Sequence, residues 1–393
     1  MFSRSSVRHG RAVELGKPAA QTTTIPAWKL SIWQKDHLEA AMLRAPILII
    51  LFIALWGVNV FIFERLRFQY HHVLSSKPQS AGLPIYSAIL LGFIYSVLII
   101  SLVIVFSFSI EMSLLSYYIL MLMTLMIPNI PGQDVRSSLF RLFYQVFFPN
   151  TSVSFAEVVL ADVLTSLSKV FKDIGFTIMM IYAKLTNTNI INHHESGMIL
   201  IAVLASLPFW LRIRQCSVQL WHAPDFNARI PISLNTLKYV SGFPPIWIAA
   251  AASLGYFHPH LPLLTAVCAT VNSLFSYSWD LLMDWGMISF FRGKNSAYRT
   301  PRRLIHIGFL LIAAIANLLL RFSWTANYFP LFASLHPASL IFFVEVAEVF
   351  RRWFWIIFRV EWEILAQTER GLLKDKDDND ASVNGSLIRS TSQ

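Results

Sequence analysis

The sequence predicts an all-α, polytopic helical membrane protein of about 8–10 transmembrane helices. Three observations predict it. The chain of 393 residues is 55% hydrophobic and 14% aromatic, with only 14% charged residues, and its mean hydropathy is +0.54. That is too apolar for a soluble protein of this size. Apolar runs recur along the whole chain, many of them near the ~20 residues that a membrane span needs. The segments between the runs alternate between basic and bare. The net charge of +10 would suit a nucleic-acid partner. Its positive residues gather in the head and between apolar runs, which points to membrane orientation instead.

Residues 1–45 carry Arg4, Arg8, Arg11, Lys17, Lys29, Lys35 and Arg44. They lack the short apolar core and small-residue cleavage site of a signal peptide. They read as a basic cytosolic arm, with an interfacial helix at about 28–43. Apolar runs follow at roughly 46–64, 84–108, 110–128, 138–149, 153–184, 197–211, 239–257, 261–283, 304–322 and 338–359. The run at 138–149 is short, which fits a re-entrant or tilted segment. The run at 153–184 is interrupted by Lys169, Lys172 and Asp173 and reads as one long or broken helix. Residues 46–149 form a first group of membrane helices and 150–365 a second. The tail at 366–393, with its run of Lys and Asp followed by Ser, Thr and Asn, reads as disordered and cytosolic.

Charge between the runs sets an expected orientation. Residues 212–238 carry Arg212, Arg214, Arg229 and Lys238; residues 292–303 carry Arg292, Lys294, Arg299, Arg302 and Arg303. The stretches 258–262 and 325–337 carry no Lys or Arg. The basic segments are expected in the cytosol and the bare ones in a lumen or outside, which places both termini in the cytosol. The sequons at Asn150 and Asn384 then face the cytosol and read as chance matches.

Asp280 and Asp284 close the run at 261–283, four residues apart. At that spacing two carboxylates share a helix face and repel. In a bilayer each costs about 2.5–3.5 kcal/mol on insertion scales. A helix that keeps both needs cations to meet them. Lys238, Arg321, Arg351 and Arg352, at or near the ends of apolar runs, are the candidates. Arg321 lies beside a segment with no basic residue, so orientation does not explain it.

Five blocks, in matching order and spacing over residues 150–365, resemble the EXS domain, the membrane domain of eukaryotic phosphate exporters that include the xenotropic and polytropic retrovirus receptor. They are Leu207-Pro208-Phe209-Trp210-Leu211-Arg212-Ile213-Arg214-Gln215-Cys216, Leu234-Asn235-Thr236-Leu237-Lys238-Tyr239, Trp279-Asp280-Leu281-Leu282-Met283-Asp284-Trp285-Gly286, Leu320-Arg321-Phe322-Ser323-Trp324 and Glu348-Val349-Phe350-Arg351-Arg352-Trp353-Phe354-Trp355. The full-length exporters begin with a cytosolic SPX domain, for which this sequence has no room. The shorter form is similar to the fungal "ER retention defective" Golgi membrane proteins. The resemblance implies an EXS-type bundle that carries inorganic phosphate from the Golgi lumen to the cytosol, recycling what glycosylation releases. It also implies an effect on glycosylation and on retention of lumenal ER proteins. It places Lys238, Tyr239, Arg321, Arg351 and Arg352 around the anion, with Asp280 and Asp284 orienting the cations. Asp162 resembles a further acidic position along the pathway. Thr165 stands where the family often has an amide, and its hydroxyl still donates one hydrogen bond. Arginine suits a phosphate because its planar fork meets two oxygens at once, and lysine adds a point charge.

Each residue has a plainer reading. Glu348 and Arg352, four apart, can neutralise each other on one helix, as can Lys169 and Asp173. Arg351 and Arg352 can be positive-inside anchors, and Lys238 a snorkelling lysine at a helix start. An ion pair with Asp280 or Asp284 suits Arg321 as well as anion contact does, and the two can coexist. Trp279, Trp285, Trp324, Trp353 and Trp355 read mostly as interfacial belt residues.

The sequence calls for no enzyme chemistry, cofactor or metal. It holds no P-loop, dinucleotide fingerprint or nucleophile elbow. His193-His194-Glu195 lacks metal-site spacing, and Cys216 and Cys268 form no disulfide framework. The expected partners are inorganic phosphate and membrane lipids. The alternative is a non-transporting adaptor that binds Golgi glycosyltransferases or other sorting proteins through its polar arms.

Overall fold

A computed structural model describes residues 35–74, 92–94, 96–97, 100, 110–126, 133–149, 152–188, 194–256, 259–287, 304–329, 336–369 and 371. The described residues form helices and turns, with no strand among them. The helices are α1 (Lys35–Arg65), α2 (Tyr70–Leu74), α3 (Ile110–Met126), α4 (Gln133–Phe147), α5 (Phe155–Ser166), α6 (Ser168–Leu185), α7 (His194–Trp221), α8 (Phe226–Val240), α9 (Phe243–Ser253), α10 (Leu261–Trp279), α11 (Ile307–Arg321) and α12 (Pro337–Glu369). Asp280–Asp284 form a π-turn after α10, and Ser323–Tyr328 a 3-10 turn after α11. Four stretches among the described residues are long and apolar enough to cross a membrane: Met42–Arg65, His194–Trp221, Leu261–Asp284 and Ile307–Tyr328. The protein is an all-α polytopic membrane protein. Most of the apolar run at 84–108, the sequons and most of the tail lie outside the described residues.

Local chemistry sets the helix boundaries. α5 opens with a capping box: Ser154 Oγ accepts from Glu157 N, and the Glu157 carboxylate accepts from Ser154 N. Asp225 caps α8 by accepting from Ala228 N at 2.7 Å. Prolines sit in the first turns of α9 and α10, where a missing N–H costs nothing. The run at 153–184 is a broken helix, split at Leu167 into α5 and α6. Other boundaries move from their expected places. α1 runs unbroken from Lys35 into the first span, so no separate interfacial helix ends near 43. α12 continues to Glu369, past the expected start of the tail at 366. Residues 212–238 are not a basic loop: they belong mostly to α7 and α8, and Arg212 is buried.

Two contacts order α1 against α12. Arg44 Nε lies 3.5 Å from Glu345 Oε2, and Asn59 Nδ2 donates to the Trp353 carbonyl at 3.1 Å. Position increases in the same sense along both helices, so they run parallel. α11 runs the other way: Ile305 N, just before it, donates to Glu361 Oε1 at 2.7 Å, while Arg321 at its end meets Asp280 beside Arg351. The start of α1 and the end of α12 therefore lie on opposite faces of the bundle. The two termini, expected in the cytosol, lie outside the described residues.

The largest apolar core joins α1, α2, α5, α6, α11 and α12. Phe63, Phe68, Tyr70, Leu310, Trp285, Trp355, Ile356 and Val360 are buried there. Trp285 and Trp355 are fully buried rather than interfacial: Trp285 packs on Phe354 and Phe358, and Arg352 lies over the Trp355 ring. The belt reading is corrected for these two. Trp324 is held by a bond from its Nε1 to Ser273 Oγ at 3.2 Å.

Candidate functional site

The site forms where three irregularities come together, two of them against α12. The α5–α6 break places Thr165 and Ser166 at a helix end. The junction of α8 and α9 holds Lys238 and Tyr239. The π-turn holds Asp280 and Asp284, its extra residue marked by the bond from Trp285 N to the Asp280 carbonyl at 2.9 Å. The next bond, from Met287 N to the Leu281 carbonyl at 3.0 Å, closes the widened turn. Gly286 follows in the left-handed region with φ +64, and an added Cβ there would collide with the Trp362 ring.

Asp280 is the hub. Its Oδ2 accepts from Arg321 Nη2, from Asn317 Nδ2 at 3.0 Å and from Arg351 Nη1 at 3.4 Å. The ion-pair partner of Arg321 is thus Asp280. Asp284 serves a different cation, Arg359, whose Nε lies 3.6 Å from its Oδ1 and whose Nη1 also reaches Glu363. Arg359 is not among the residues expected from the sequence. The two aspartates both face inward, and separate guanidiniums offset their repulsion.

Arg351 is 2% exposed and Arg352 7% exposed, so neither is an interfacial anchor. Glu348 pairs with Arg351, three residues on, rather than with Arg352, four on. Arg351 Nη2 also donates to Ser166 Oγ at 3.2 Å. Arg352 binds only hydroxyls among the described residues: Nε donates to Ser166 Oγ at 2.7 Å and Nη2 to Thr165 Oγ1 at 3.4 Å. Thr165 Oγ1 donates in turn to the Asp162 carbonyl at 2.7 Å.

On the other side, Asp162 Oδ1 accepts from the Tyr239 hydroxyl and lies 2.8 Å from Arg212 Nε. Arg212 stacks over Tyr239, and its Nη1 donates to Gln215 Oε1. Lys238 is 6% exposed, near the end of α8 rather than at a helix start. Its Nζ sits over the rings of Tyr239, 4.3 Å from the centroid, and of Trp279, 5.0 Å away. Lys238 and Arg352 both lie within electrostatic reach of Asp162 and of Asp280.

The structure therefore gathers Asp162, Thr165, Lys238, Tyr239, Asp280, Asp284, Arg321, Glu348, Arg351 and Arg352 into one buried polar region. It adds Ser166, Arg212 and Asn317. Ser166 and Asn317 look like ordinary polar residues in apolar helices, and only their inward position marks them. Arg212 belongs to a quoted block but reads as a loop charge by position. Among the described residues, five cations (Arg212, Lys238, Arg321, Arg351, Arg352) face four carboxylates (Asp162, Asp280, Asp284, Glu348), and Asp284 is shared with Arg359. The region is short of negative charge and rich in donors.

A second charged group lies toward the start of α12. Arg44 clasps Asp173 bidentately, Nε to Oδ2 at 3.0 Å and Nη2 to Oδ1 at 2.9 Å. The expected local pair of Lys169 with Asp173 is replaced by this contact across 129 positions.

Residues 40–365 match the EXS family. The chain is 28% identical over 216 residues to Protein ERD1 homolog 1 of Schizosaccharomyces pombe, covering 53% of this chain and 57% of that protein. It is 30% identical over 246 residues to Protein SYG1 of Saccharomyces cerevisiae, covering 58% of this chain and 26% of that protein. It is 30% identical over 250 residues to Solute carrier family 53 member 1 of Homo sapiens, covering 58% of this chain and 36% of that protein. The aligned part thus spans little more than half of the first of these relatives and about a third or less of the other two. The family match takes in the helices before residue 150 as well as those that build the polar region, and the chain belongs to the EXS family.

Proposed function

We propose that this protein transports inorganic phosphate across the Golgi membrane, from lumen to cytosol, and that the buried polar region is its anion site. One observation carries the reading. Arg352 and Lys238 are buried cations without a carboxylate in ion-pair contact among the described residues. A buried charge without a counter-ion is expensive. A monovalent phosphate would supply the missing negative charge.

The surroundings suit an ion that must also leave. Arg352 spends its donors on neutral hydroxyls, which a phosphate oxygen displaces more cheaply than it would a carboxylate. Arg321 and Arg351 are already partly neutralised by Asp280, so they attract the anion without trapping it. Thr165 and Ser166 can donate to phosphate oxygens once the guanidiniums turn to the ion. The name of the human relative, a solute carrier, supports transport. The ERD1 name of the yeast relative supports the Golgi assignment and the link to ER retention and glycosylation. The basic composition of residues 292–303 supports a cytosolic assignment for that stretch of the sequence.

The test is phosphate content of sealed Golgi vesicles from cells with and without the protein. Lumenal phosphate should rise on loss and return to normal on re-expression. Unchanged lumenal phosphate, with missorted Golgi enzymes, would favour the adaptor role.

A further inference from the structure

Glu345 lies on α12, seven residues and roughly 10 Å before Arg352. It is 3% exposed. It shares Arg44 with Asp173, but the share is unequal. Arg44 gives Asp173 two aligned hydrogen bonds, and its Nε is only within 3.5 Å of Glu345 Oε2. That Glu345 oxygen is buried and receives no hydrogen bond from the described residues. An ionised carboxylate left in this state is costly. A bound proton removes the charge at the least structural expense.

The groups around Glu345 come from three elements. α1 contributes Arg44. α6 contributes Asp173, Lys169 and Lys172. On α12 itself, Glu348 lies one turn away and holds Arg351. Tyr118 of α3 faces Asp173 from beyond. Lys169 is within electrostatic reach of both Glu345 and Glu348. Glu345 is thus linked to the arginines that border the anion region through Lys169 and Glu348.

Resting on the phosphate reading above, we propose that Glu345 binds a proton and that its protonation promotes anion entry, coupling flux to the pH of the face where α12 begins. Proton binding removes one negative charge beside the path and leaves Asp173 as the carboxylate facing Arg44 and Lys172, with Lys169 still within reach of Glu348. A passing anion then meets a more positive approach. One unit charge acting over roughly 10 Å at an effective dielectric near 20 changes occupancy about tenfold.

The test has two readouts on Glu345→Gln, which fixes the neutral form. In phosphate-free purified protein, acidification should produce a carboxylic-acid infrared band in the wild type that is missing from Glu345→Gln and shifted in its titration in Glu345→Asp. Identical bands in the wild type and both variants would overturn the proposal. In proteoliposomes, the ratio of Glu345→Gln to wild-type phosphate flux should fall about tenfold toward unity as the pH drops, since the substrate's own titration is common to both. A ratio that does not change with pH would overturn it. The infrared result with no phosphate flux in the wild type would keep the proton site and sink the phosphate reading; robust flux with identical bands would do the reverse.

Discussion

Arg352 Nε donates to Ser166 Oγ at 2.7 Å, a bond that joins residues 186 positions apart and ties the last helix to the break in the α5–α6 span. Ser166 also accepts from Arg351. One small hydroxyl thus sets the spacing of two guanidiniums.

Ser166→Ala should leave both guanidiniums less well placed. A hydrogen bond to a charged group contributes about 1.5–3 kcal/mol. Phosphate affinity should fall by roughly tenfold or more, with the fold retained, as measured by concentration-dependent flux beside a thermal melt. Unchanged affinity would show that Ser166 does not position Arg352.

Arg212 and Asp162 form a pair with almost no exposure. Removing one partner of a buried pair costs about 3–5 kcal/mol because the other is left charged and unmatched. Arg212→Met and Asp162→Asn should each lower the melting temperature in detergent sharply. The double variant should be less destabilised than the two single effects added. Additive effects would mean the pair is not coupled.

Gly286→Ala combines a left-handed backbone with a collision against Trp362. A non-glycine residue held in such a region costs of order 1–3 kcal/mol, before any collision. The variant should melt earlier. Trp362→Ala beside it should relieve the collision and recover only part of the loss, since the φ angle remains. Full recovery would place the whole effect on the ring.

Much of this architecture is legible in the sequence. Apolar runs locate most described helices, and the five quoted blocks bring the two aspartates and the arginines of α11 and α12 to one place. Asp280 needs a cation on sequence grounds alone, and Arg321 supplies one. Pairing by helical spacing fares worse. Glu348 takes Arg351 instead of Arg352, and Asp173 takes Arg44 instead of Lys169. Spacing of four residues describes an isolated helix, whereas these side chains choose partners in a packed bundle. Arg212 looks like a loop charge because the apolar run stops just before it; α7 continues for several more residues, and burial against Asp162 gives the charge its use. Trp285 and Trp355 sit beside charged residues in sequence, which mimics an interface, yet both fill the core. The parallel course of α1 and α12 depends on contacts far apart in the chain and leaves no local signature.

The central claim is that phosphate passes through the region bordered by Arg321 and Arg352. Radiolabelled phosphate efflux from proteoliposomes tests it most directly, with the wild type compared with Arg321→Ala and Arg352→Ala, each shown to elute as a folded species. The account predicts efflux in the wild type and its loss in both variants. Wild-type flux that persists undiminished in both would contradict it.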